Sequence, residues 1–152
     1  MSTDDNCDEH LLKIMDVAVA RLERDGELSP FRAIFDVHGQ IEIEDIPYPA
    51  LASSGDPLGE QMSAVRDEVL AKGASACAIV ADVVRPKNVA SAFEDAIMIR
   101  IEAQGVSALV FFPYHMPKGL IARLLLRAPV SRRQARFDGP FVFNTDPKIF
   151  CD

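Results

Sequence analysis

Apolar positions along this chain repeat first at helical spacing and then, for most of its length, at strand spacing. Between residues 8 and 25, Leu11, Leu12, Ile14, Met15, Ala18, Val19 and Leu22 fall on one broad face of a helix turning about 100° per residue. Lys13, Asp16, Glu23 and Arg24 take the other side, and His10, near the helix start, reads as solvent-facing. Asn6 or Asp8 can cap the first turn, Glu9 stands three residues after Asn6, and Gly26 supplies a left-handed stop. The pattern predicts an amphipathic helix over 8–25.

After Ser29-Pro30 the period becomes two. Phe31, Ala33 and Phe35 alternate with Arg32, Ile34 and Asp36, His38-Gly39 forms a turn, and Ile41, Ile43 and Ile46 follow among Glu42, Glu44 and Asp45. This reads as a hairpin with one buried face. Residues 47–55 hold Pro47 and Pro49 among small polar side chains, and prolines lack the donor a ladder needs. A second helix is framed by Asp56 as cap, Pro57 at its first position and Lys72-Gly73 at its exit, with Leu58, Met62, Val65 and Val69 as its stripe. Next come a strand over 75–84, a loop over 85–94, and a hairpin joining 97–103 to 106–112 through Gln104-Gly105. Residues 119–127, with Leu120, Ile121, Leu124, Leu125 and Leu126, read as a short third helix, with a strand as the alternative. Phe141, Val142 and Phe143 follow the Asp138-Gly139-Pro140 turn as an edge strand.

The expected fold class is therefore α+β: an antiparallel sheet of about five strands with two or three packed helices, in the order α-β-β-α-β-β-β-(α). Over roughly residues 8–127 that order is similar to profilin-like and roadblock/longin domains. The resemblance is one of arrangement, resting on no motif, and it implies interaction, regulation or ligand sensing rather than catalysis. One globular domain over 1–152 is expected, with a flexible acidic N-terminus over 1–7 and an irregular C-terminal extension over 129–152.

Composition narrows the class without naming a task. At 152 residues, 49% apolar and 26% charged, the chain has the make-up of an ordinary globular domain. No run approaches the roughly 18 to 20 apolar residues of a membrane span, and the acidic start lacks the basic and apolar regions of an export signal. Cys7, Cys77 and Cys151 are odd in number and lack metal-site spacing. Cys77 lies in an apolar run, as a buried and inert thiol would, which points to a reducing, cytoplasmic setting. The charge of −7 is uneven: residues 1–103 hold 9 basic and 20 acidic side chains, and the remainder holds 7 and 3. Such asymmetry orients partners without selecting them.

Phosphate-loop, dinucleotide, nucleophile-elbow and zincin motifs are missing from the sequence, which removes the usual support for those chemistries. No cofactor or metal site is expected. His38 beside Gly39 is explained by its turn. His115 stands in Phe112-Pro113-Tyr114-His115-Met116-Pro117-Lys118, where a phenol, an imidazole and an ammonium gather at a strand exit. With Arg123 they form a candidate anion site: Tyr114, His115, Lys118 and Arg123. Asp82 and Glu102 are acid candidates, although a cross-strand ion pair of Asp82 with Arg100 on a wetter sheet face explains them as well. Arg127, Arg132, Arg133 and Arg136 form a basic patch. The overall acidity, and the lack of interleaved aromatic rings there, argue against nucleic acid as its partner.

The reading that leads is a non-catalytic interaction domain forming a homo-oligomer, most simply a two-fold homodimer in which the acidic body of one copy meets the basic arm of another. Beside it stand a binder or sensor of a small anionic ligand, an enzyme using Asp82, Glu102 or His115 as acid or base, and an acidic neutraliser of a basic protein partner. No membrane association is expected.

Overall fold

The computed structural model describes residues 3–46, 57–116 and 136–150. Helix α1 (Thr3–Asp25) leads into strands β1 (Phe31–Phe35) and β2 (Ile41–Asp45), then helices α2 (Pro57–Ala64) and α3 (Arg66–Ala71). Strands β3 (Ala76–Val84), β4 (Asp95–Ala103) and β5 (Val106–His115) follow, and β6 (Arg136–Phe137) and β7 (Phe141–Asn144) end the described chain. All pairings are antiparallel, in the order β2-β1-β3-β4-β5-β6, with β7 also on the outer edge of β5. The fold is α+β, with a larger sheet than the expected five strands because β6 and β7 both pair with β5. Both fall inside the stretch read as an irregular extension, and β7 is the expected edge strand. The expected helix over 119–127 lies outside the described residues.

Each face of the sheet has its own cover. On one face, α1 sets Ile14, Ala18 and Leu22 against Phe31, Ala33, Phe35, Ala78, Val80, Ile97, Ile99 and Val110, all essentially sealed from solvent. On the other, α2 and α3 place Met62, Val65 and Val69 over Ile34, Cys77, Ile79 and Ala81, and Ile149 joins them from the C-terminal segment. Strand periodicity alone assigns these side chains, since successive residues point to opposite faces.

Several expectations change. The helix predicted over 8–25 starts at Thr3, so the segment read as a flexible acidic tail is helical from there, and Cys7 is buried. Leu12, placed on the apolar face, is 67% exposed, because two residues before Ile14 a helix has turned about 200° away. The helix framed by Asp56 and Gly73 is broken at Val65, whose φ of −100° and ψ of 2° leave the helical range. Its turn nevertheless continues, since the Val69 N–H reaches the Val65 carbonyl at 2.9 Å. The first hairpin was expected to bury one face, yet β1 is buried at all five positions because it lies inside the sheet with α1 over one face and α2 and α3 over the other.

Candidate functional site

The strand register decides which of the polar candidates meet. Asp82 faces Ile97 across β3 and β4, whereas Arg100 faces Ile79, an odd number of residues away. The two side chains therefore project from opposite faces, and the expected Asp82–Arg100 ion pair does not form. Asp82 instead accepts from the Tyr114 hydroxyl, whose oxygen is 2.8 Å from each carboxylate oxygen. Tyr114 is buried on the α1 face against Phe137. His115, the next residue, points the other way, is exposed, and stacks on Phe93 at 6.2 Å between ring centroids. Tyr114 and His115 thus do not form one corner.

Glu102 shares a face with His115 but not a location. Its partner across the sheet is Ser107, and the eight residue steps of β5 from Ser107 to His115 span roughly 27 Å. Asp82, Glu102 and His115 consequently occupy three separate places. Arg136 is exposed in β6 opposite His115. Lys118, Arg123, Arg127, Arg132 and Arg133 lie outside the described residues.

The described depressions gather at one end of the sheet, around the β1–β2 turn and the β4–β5 turn. One of about 430 Å³ lies between α1 and those turns, lined by His10, Lys13, Asp36, His38, Ser75 and Gln104 among others. A second, of about 300 Å³, opens on the opposite side of the hairpin beside Lys72 and Glu42. A third, of about 480 Å³, separates the β4–β5 turn from Thr145, Pro147 and Phe150.

Hydrogen bonds around the β1–β2 turn shape the first of these. Asp36 Oδ1 accepts the backbone N–H groups of His38 (2.8 Å) and Gln40 (2.9 Å), which shapes the turn and holds the carboxyl below its usual range, the Gln40 bond contributing most. Gly39 completes the turn at φ +78°, a value L side chains rarely adopt. Lys13 Nζ donates to the Gly39 carbonyl at 2.7 Å, tying α1 to the hairpin. The Ser75 hydroxyl donates to the Asp36 carbonyl at 2.8 Å and ties in the start of β3.

His10 forms part of the floor. It is 8% exposed, its ring lies 4.1 Å from that of Phe35, and its Nδ1 is buried with no hydrogen-bond partner among the described residues. Burial pushes the imidazole below its ordinary value, the Lys13 ammonium adds to this, and Glu9 opposes it. The ring is therefore neutral at neutral pH, able to donate at one nitrogen and accept at the other. Its reading as solvent-facing is corrected by the helix geometry: His10 is four residues before Ile14 and begins the row His10, Ile14, Ala18, Leu22.

The opposite face carries charges under cover. Arg32, 8% exposed, pairs with Glu44 and, at 3.4 Å, with Glu68, and Lys72 bridges Glu68 at 3.1 Å and Glu42 at 3.4 Å. The Cys77 thiol, buried among apolar side chains, is pushed up to about 12 chiefly by loss of solvation. It is accordingly unreactive, as its apolar neighbourhood in the sequence implied. Glu102 is fully buried, and its Oε1 accepts the N–H groups of Lys148 and Ile149, both at 2.8 Å. Among the described residues, no cluster of three His, Cys, Asp or Glu side chains could hold a metal, and no helix is long and apolar enough to cross a membrane.

The chain matches no protein-family model, and neither a curated protein nor a solved structure shows significant similarity to it.

Proposed function

We propose that this protein is a binding module whose ligand is a small zwitterion, a molecule bearing one carboxylate and one ammonium, held between α1 and the two turns at the end of the sheet. The observation that carries this reading is His10: a neutral imidazole, its Nδ1 without a partner among the described residues, beneath a depression of about 430 Å³. That volume falls within the range of small-ligand sites. Lys13 spends one donor on the Gly39 carbonyl and keeps two for a carboxylate, beside the Gln104 amide. Glu9 and Asp36 supply negative charge for an ammonium. Mixed charge of this kind suits a zwitterion better than an anion, because an anion would meet two carboxylates for each ammonium. Separation of Asp82, Glu102 and His115 also favours binding over acid–base chemistry, which needs its groups within hydrogen-bond reach of one substrate.

Amide and imidazole NMR spectra recorded during titration with a panel of free amino acids test the reading. Shifts confined to His10, Lys13, His38, Gln40 and Gln104, and lost in Lys13→Met, are the expected result. Spectra that stay unchanged at millimolar ligand would remove the proposal.

A further inference from the structure

Residues 145–150 cross the sheet face opposite α1 as an irregular strap that belongs to no strand and bends over 148–150. The sheet holds it almost entirely by its backbone. The Thr145 N–H donates to the Ser107 carbonyl at 3.0 Å, Arg100 Nη2 donates to the Asp146 carbonyl at 2.9 Å, and Glu102 Oε1 takes the consecutive N–H groups of Lys148 and Ile149. Two side-chain features add to these. The Ser107 and Thr145 hydroxyls meet at 2.7 Å, and Ile149, 1% exposed, enters the cluster containing Cys77 and Ile79. In peptide recognition, main-chain hydrogen bonds supply affinity and side-chain pockets supply specificity.

We infer that this groove is a peptide-binding site, filled in cis by the chain's own strap, and that the strap of a second copy is the segment that fits it in trans. The sequence that fits is already seated, so another copy carries the same complementary segment. The depression of about 480 Å³ between the β4–β5 turn and Pro147 and Phe150 undercuts the strap, so displacement can start there without disturbing the sheet. Glu102 Oε2 is buried without a partner among the described residues, leaving the carboxylate capacity for a further donor while an incoming segment replaces the resident one. Because a tethered segment acts at a high effective concentration, the cis strap outcompetes the trans one until it is released.

The full chain carrying Ile149→Asp keeps the groove but loses the socketed side chain. A labelled synthetic peptide of residues 145–150 is expected to bind that variant at least about tenfold more tightly than it binds the wild type, whose own strap competes. It should not bind the Ile149→Asp, Glu102→Ala double variant. Equal binding to the folded single variant and the wild type overturns the groove.

Hydrogen exchange on the unaltered protein provides a check that needs no variant. Lys148 and Ile149 amides should exchange through an opening that leaves β3 and β4 protected, and exchange only with global unfolding overturns displacement. The second copy is tested by sedimentation of mixed chains, Glu102→Ala supplying an intact released strap and Ile149→Asp an empty groove. A complex in the mixture, with each variant alone monomeric, is expected. Peptide binding without that complex would overturn the second copy as occupant.

Discussion

The two faces of the sheet are covered by different kinds of backbone, and they present different side chains in response. The α1 face meets a 23-residue helix, which satisfies its interior N–H and C=O groups within itself. That face can therefore be built mainly of apolar residues such as Phe31, Ala33, Ala78, Ile97, Ile99 and Val110, which contribute by burial. The opposite face meets α2 and α3 and, beside them, an irregular strap whose main-chain polar groups have no ladder of their own. Buried backbone groups without partners are costly, so the sheet supplies Arg100, Glu102 and Ser107 at the points where the strap lies. Charged residues in a buried strand are thus accounted for by the conformation of what lies on top of them.

The largest expected effect tests the apolar half of that contrast. Ile14→Ala, at a position fully excluded from solvent in the middle of α1, should lower global stability by about 2–5 kcal/mol, read from urea unfolding with an unchanged m-value. A loss below about 1 kcal/mol would mean that α1 packs loosely and that the contrast between faces is wrong.

A smaller and more local effect is expected on the other side. Glu102→Ala leaves two strap N–H groups without their acceptor and should cost about 2–3 kcal/mol, with loss of exchange protection confined to the strap and largest at Lys148 and Ile149. Glu102→Gln keeps an oxygen where Oε1 stands, so protection at both amides should largely survive. If Gln behaved like Ala, charge rather than acceptor geometry would be what the strap requires.

Legibility in the sequence follows the same division. The α1 stripe through Ile14, Ala18 and Leu22 could be read because a helix carries its periodicity within one segment. The meander β3-β4-β5 was equally plain, since alternation and the Gln104-Gly105 turn are local, and Gly105 takes the positive φ of 78° that the turn demands. What sequence could not reveal was which sheet face would be covered twice. Arg100 and Glu102 alternate with Ile99 and Ile101 as residues of a wet face would, and only the return of residues 145–150 from far along the chain buries them. The Asp82–Arg100 expectation failed for want of the register, because a shift by one residue reverses every side chain. The depression beside α1 was missed for a different reason. Its signal is present in His10 at the head of a row spaced by four, but a residue that opens a helix reads as solvent-facing until the packing of that row is known.

His10 is also where the contrast can be sharpened, being a polar ring on the face that otherwise offers apolar cover. Its proton affinity in the folded chain lies below the ordinary value of 6.5, chiefly because burial disfavours the charged ring. Between that lowered value and 6.5 the unfolded chain binds more protons than the folded one, so stability should rise with pH across this window. It should level off above 6.5, where His10 is neutral in both states. Asp36 acts in a separate range: its carboxyl is lowered from 3.8, so its contribution is present above 3.8 and is lost as the pH falls through the folded value. Urea midpoints measured at close pH intervals should therefore show an upper, shallow slope that disappears in His10→Phe, which keeps a ring against Phe35 and cannot titrate. This is the smallest of the expected changes. A slope that persists unaltered in His10→Phe would show that the α1 face accommodates a charged imidazole, and that its cover is wetter than the burial of Ile14 and Leu22 implies.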